Sequence, residues 1–211
     1  MLRKLAAGIG VILLVPVLVL AAAIGSVRGG SASGAPVTAT AFCSQGPTGS
    51  PAAPSETHAA AAPKRGQTRP CQDGELEAMV LSNPRIELSS LAAGDVAAGR
   101  IDPRVLEVLL VLAERFDLGS VGPLISGHSY FVAGTTTPSN HSFGRAVDIS
   151  VIDGQAVSIY NPAARDAMEL VLSLQPPLLP DELGGPWPMY HVGVRTFTQD
   201  HHDHIHIGWD G

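Results

Sequence analysis

The chain has 211 residues, with 13 Lys/Arg against 19 Asp/Glu and only 5% aromatic content. That length allows one ordinary domain with extensions and excludes a large multidomain machine. A net charge of −6 argues against a general nucleic-acid binder, which normally presents a basic face. The charge is uneven: residues 1–71 carry +5, and residues 72–211 carry −11 with no lysine at all.

Met1-Leu2-Arg3-Lys4 makes a positive start, and Leu5 to Ile24 follows as twenty residues without a charge or a strongly polar group. Such a run is long enough to cross a hydrocarbon core, and positive charge before it favours an N-terminus kept inside the cell. Two readings stay open for residues 1–28: a secretory signal processed near Ala21-Ala22-Ala23, or an uncleaved anchor, which we favour. Both place the rest of the chain outside the cytoplasm, at the cell envelope, either membrane-anchored or secreted. Residues 29–71 are rich in Gly, Ser, Ala, Pro and Thr. They offer too little apolar surface to offset the entropy of ordering, so a flexible tether is expected. Cys43 and Cys71 are expected either to form one disulfide across this tether or to remain free thiols.

Residues 72–211 are long enough for one core. Asp73 is a candidate cap for a helix over Glu75 to Leu81. Asp102-Pro103 opens a second helix, with Val105, Leu106, Leu109, Leu110 and Leu112 as its apolar stripe and Phe116 with Gly119 as its end. Asn161-Pro162 opens a third, with Ala163, Ala167, Leu170, Val171 and Leu174 at helical spacing. Strand-like runs are Pro123–Ser126, Ala146–Ile152 and His204–Gly208. The expected fold is α+β, with helices packed on a small antiparallel sheet.

Seven of the eight histidines lie in this domain, five of them in its last twenty-one residues. The tail reads Asp200-His201-His202-Asp203-His204-Ile205-His206-Ile207. On a strand, His202, His204 and His206 share one face, while Ile205 and Ile207 point into the core. A face of imidazoles backed by an apolar face presents ring nitrogens to one ion or one substrate. A solvated edge strand is the plainer alternative. On an ideal strand Asp203 faces away from His204, toward another ring such as His128 or His191. Upstream, Ser139-Asn140-His141-Ser142-Phe143-Gly144-Arg145-Ala146-Val147-Asp148 places a His and an Asp seven residues apart, with Gly144 free to bend the chain between them. Asp148 sits in an apolar strand, where a carboxylate needs a partner or a metal.

Ser-x-His-x-x-Gly-x-Ala-x-Asp followed by a C-terminal His-x-His resembles the zinc peptidases of peptidoglycan, the D-alanyl-D-alanine carboxypeptidase, lysostaphin and hedgehog-like group. The tail is nearest to the murein endopeptidase branch. The resemblance covers about residues 120–211, with firm motifs at 139–148 and 204–206. It implies zinc held by His141, Asp148 and His206, with His204 as an active-site histidine. Two imidazoles and one carboxylate leave zinc an open fourth position, the catalytic pattern. Ser126-Gly127-His128-Ser129 resembles the Ser-Gly-Tyr-Arg segment of the carboxypeptidases, with His128 in place of Tyr and Ser129 in place of Arg. The missing Arg argues against carboxypeptidase-type recognition of a substrate C-terminus.

The carboxypeptidase branch also places a catalytic Glu just before its last ligand. This tail has none, and Glu182 is the nearest candidate. His204 is therefore the preferred proton carrier, Glu182 the second choice, and His128 the residue expected to steady an oxyanion. The expected function is zinc-dependent cleavage of an amide bond in peptidoglycan peptides, with the membrane contacted through the N-terminal segment and no nucleic-acid partner. The alternative is a metal-containing cell-wall binding module without turnover.

Overall fold

The computed structural model describes residues 74–211. The Leu5–Ile24 run, the linker, both cysteines and the Asp73 cap lie outside the described residues. Among the described residues no helix is long and apolar enough to cross a membrane.

The elements in chain order are α1 (Glu75–Ser82), β1 (Ile86–Leu88), α2 (Ser90–Ala97), α3 (Pro103–Ala113), β2 (Leu118–Val121), a 3₁₀ turn (Asn140–Phe143), β3 (Ala146–Ile152), β4 (Gln155–Ala156), α4 (Pro162–Leu172), β5 (Glu182–Gly184), β6 (Arg195–Phe197) and β7 (Ile205–Gly208). Among the described residues, four helices and one seven-stranded sheet make the fold α+β. The sheet order is β1-β2-β3-β7-β5-β6, with β4 beside β3. Its centre, β2-β3-β7-β5, is antiparallel as expected, but the edge pairs β1·β2 and β5·β6 are parallel, so the sheet is mixed.

The helix starts follow capping chemistry. Asp102 accepts a bond from the Arg104 amide and Asn161 from the Ala164 amide, with Pro at the first helical position in both cases. Helix α3 is enclosed over most of its length: every residue from Val108 to Ala113 is buried, as are Val105 and Leu106. A helix apolar on all sides belongs in the core. It ends at Ala113, and Gly119 lies in β2 rather than closing the helix. Helix α4 buries Ala164, Ala167, Met168 and Val171, while Ala163 and Leu170 pack partly buried at its edge. Ile149, Val147, Ile205, Ile207 and Leu183 bring the sheet into the same core.

The expected strand at Pro123–Ser126 does not form. Strand β2 lies just before it, and residues 122–126 are a loop. Two causes are visible: Pro123 has no amide hydrogen to give a ladder, and the Ile125 and Ser126 amides are both taken by buried Asp95. Gly122 enters this loop at φ 119°.

Candidate metal centre

The site is built on the register between β3 and β7. Asp148 lies directly opposite His206, and Gly184 of β5 lies opposite His206 on its other side. Ile205 and Ile207 point away into the core, as the alternation requires. His141 arrives from the 3₁₀ turn. Ser139 caps that turn by accepting from the His141 amide, and Gly144 ends it at φ 68°. A Cβ on Gly144 would run into the Arg100 carbonyl oxygen, so glycine is required by both conformation and space.

Three ligand-type atoms meet there. His206 Nδ1 is 3.0 Å from Asp148 Oδ1, His141 Nε2 is 3.2 Å from His206 Nδ1, and His141 Nε2 is 3.3 Å from Asp148 Oδ1. All three residues are buried. Ligands about 2.0–2.1 Å from a tetrahedral ion stand about 3.3 Å apart, so the triangle has the right size. His128 joins the group from the Ser126–Ser129 segment. One ligand atom each from His128, His141 and Asp148 lies within 4.8 Å of the others, a set that could hold a metal ion. The His128 ring stacks on His141 with centroids 4.1 Å apart.

The remaining nitrogens define the tautomers. His141 Nδ1 donates to the Leu124 carbonyl at 2.8 Å, which leaves Nε2 as the nitrogen that faces Asp148. His141 Nε2 and Asp148 Oδ1, 3.3 Å apart, are both atoms that ligate metals, so the residues fit a bound metal. His206 turns Nε2 toward Glu182 Oε2 at 3.4 Å. His204 Nδ1 donates to Asp203 Oδ1 at 2.8 Å, and its Nε2 lies 4.0 Å from Asp148 Oδ1. Asp203 therefore orients His204, not His128 or His191. The expectation of opposite faces fails because β7 begins only at Ile205, and residues 202–204 bend. For the same reason His202 is exposed, whereas His204 and His206 reach the site.

Electrostatics follow from these contacts. Burial works against the Asp148 charge, but the bonds from His141 and His206 outweigh it and hold the carboxyl well below the usual range. Burial likewise disfavours a charged His206, yet Asp148 and Glu182 hold its pKa well above the ordinary imidazole value. The His206 bond, helped by Arg195 and Asn140, holds Glu182 down to about 2. Burial and neighbouring His141 lower the pKa of His128. Its Nδ1 donates to the Ser129 carbonyl at 2.7 Å, so Nε2 offers a lone pair.

His201 is a neighbour that the spacing did not single out. Its ring centroid is 4.6 Å from that of His204 and 4.6 Å from that of Phe197. Gly184 makes the approach possible, because a Cβ there would sit 2.5 Å from His201 Cδ2.

No family model matches the chain, and neither a curated protein nor a solved structure matches it.

Proposed function

We propose that the domain is a zinc-dependent hydrolase that cuts an amide bond in peptidoglycan peptides outside the cytoplasm. The observation that carries the reading is the 3.0–3.3 Å triangle of His141 Nε2, Asp148 Oδ1 and His206 Nδ1 with His204 beside it. The substrate class comes from the resemblance of the His141–Asp148 and His204–His206 motifs to the peptidoglycan peptidases.

His141, Asp148 and His206 would hold the zinc. When bound, zinc supplies Lewis acidity and lowers the pKa of a coordinated water to about 7. His204 has the arrangement of a general base: Asp203 fixes its Nδ1–H, and its Nε2 stands at the edge of the site, 4.0 Å from Asp148 Oδ1. It takes a proton from the attacking water and returns it to the leaving amine. His128, stacked on His141 with its Nδ1 donating to the Ser129 carbonyl, lines the site beside the proposed ligands, where it would contact substrate. Glu182 is ill placed for the base role, since its carboxylate faces the outer nitrogen of His206.

Purified peptidoglycan incubated with the zinc-loaded full-length chain tests this by mass spectrometry of the released peptides. The expected result is a new free amine and carboxylate at one bond type, absent with His204→Ala. Peptidoglycan that is bound but left intact would favour the binding module instead.

A further inference from the structure

Behind His206 lies a carboxylate held from every side. Glu182 Oε2 is 3.4 Å from His206 Nε2, the nitrogen opposite the one that faces Asp148. Asn140 Nδ2 donates to the same oxygen at 3.0 Å. The Arg195 guanidinium donates to Glu182 Oε1 at 2.5 Å and to Asp210 Oδ2 at 2.8 Å. Asn140 immediately precedes His141, so the turn that carries one ligand also braces the carboxylate behind another. Backbone space is reserved for the contact: a Cβ on Gly208 would lie 3.0 Å from both Glu182 Oε2 and His206 Nε2. Gly208 is the register partner of Glu182 across β5 and β7.

We infer that Glu182 is a positioning residue that acts on the metal through His206. It accepts the Nε2–H, fixes the ring with Nδ1 toward Asp148 and His141, and makes Nδ1 a stronger electron donor. A carboxylate on the outer nitrogen of a ligating histidine raises metal affinity in this way. The inference rests on the metal-centre reading above. The competing role is mechanical: Glu182 and Arg195 are paired across β5·β6, and their ion pair would merely tie the edge strand down.

Zinc affinity of the full-length chain, measured by competition with a chromophoric chelator, separates the two roles. Glu182→Ala should weaken zinc binding by about 10–100-fold. Glu182→Gln should recover most of that loss, since its amide oxygen still accepts the His206 N–H. Arg195→Met should stay within about threefold of wild type, because it leaves the His206 partner in place. Unchanged affinity in Glu182→Ala overturns the inference while the metal centre stands. A loss in Arg195→Met as large as in Glu182→Ala, without rescue by Gln, overturns it in favour of the strand tie. If Glu182→Ala does not fold, Gly208→Ala wedges the same hydrogen bond apart. It should weaken zinc by about tenfold, and wild-type affinity there overturns the inference. A wild-type chain that takes up no zinc overturns the metal-centre reading and this inference together.

Discussion

His206 is flanked by two carboxylates on opposite edges of one ring, Asp148 at Nδ1 and Glu182 at Nε2. His204 is hydrogen bonded to Asp203 through Nδ1, and its Nε2 stands 4.0 Å from Asp148 Oδ1, beyond hydrogen-bond reach. The two histidines of one His-x-His thus have different surroundings, and the proposed function gives them different roles, His206 as a ligand and His204 as the proton carrier. His204→Ala should lower turnover by about 10²–10⁴-fold with zinc content unchanged, read by peptide release and metal analysis on the same sample. Asp203→Asn should fall between that variant and wild type, because the amide still orients the ring but supports its positive charge less well. Loss of zinc from His204→Ala would make His204 a ligand and remove it as the base. At this scale the sequence was informative about side chains that share a motif. The seven-residue step from His141 to Asp148 and the alternation within Ile205–Gly208 bring His141, Asp148 and His206 together, while His204 arrives from the bend before the strand. It was silent about Leu124, which contributes a backbone carbonyl, and about the position of Glu182, which depends on the β5·β7 register.

Two elements carry the site to the sheet, and each hinges on a small feature. The turn Asn140–Phe143 closes on Gly144 at φ 68°, against the Arg100 carbonyl. Gly144→Ala should destabilise the protein by about 1–3 kcal/mol from backbone strain, with more from the contact, as read by urea denaturation. A stability equal to wild type would mean that the turn relaxes freely. The loop bearing Leu124 and His128 hangs on Asp95, which is fully buried in α2 and accepts from the Ile125 amide at 2.9 Å, the Ser126 amide at 2.7 Å and the Ser126 hydroxyl at 2.7 Å. Arg100 completes the set. Burial opposes the Asp95 charge, but these partners outweigh it and keep the carboxyl below its ordinary value of 3.8. A depressed folded pKa gives stability that is present above the unfolded value and lost as pH falls through the folded one. Asp95→Ala should therefore cost about 1–3 kcal/mol at neutral pH, and the gap to wild type should narrow as pH drops below 3.8. A gap independent of pH would show that the charge contributes nothing. Helix α2 escaped the sequence reading because eight residues with Gly94 and Asp95 inside make a weak apolar pattern. The two long Pro-started helices were legible from cap and stripe alone.

Across the described residues, the antiparallel centre of the sheet carries the candidate site and the parallel edges frame it. Strands β3 and β7 hold Asp148 and His206 in register, and β5 brings Glu182 behind them. The α+β class was readable from three helix patterns and two strand patterns. The mixed sheet was not, because β1, β5 and β6 have three residues each, too few to show a period. A metal that binds the folded site and not the unfolded chain stabilises the whole domain, by about 2.7 kcal/mol at a free concentration one hundred times the dissociation constant. Zinc should therefore raise the melting temperature of wild type and leave that of His206→Ala unmoved. The measurement that bears most directly on the metal centre is the zinc content of the purified full-length chain, with His141→Ala and His206→Ala beside it and folding checked by circular dichroism. One equivalent in wild type and none in either variant is the predicted result. A well-folded wild type that takes up no metal when zinc is supplied would contradict it.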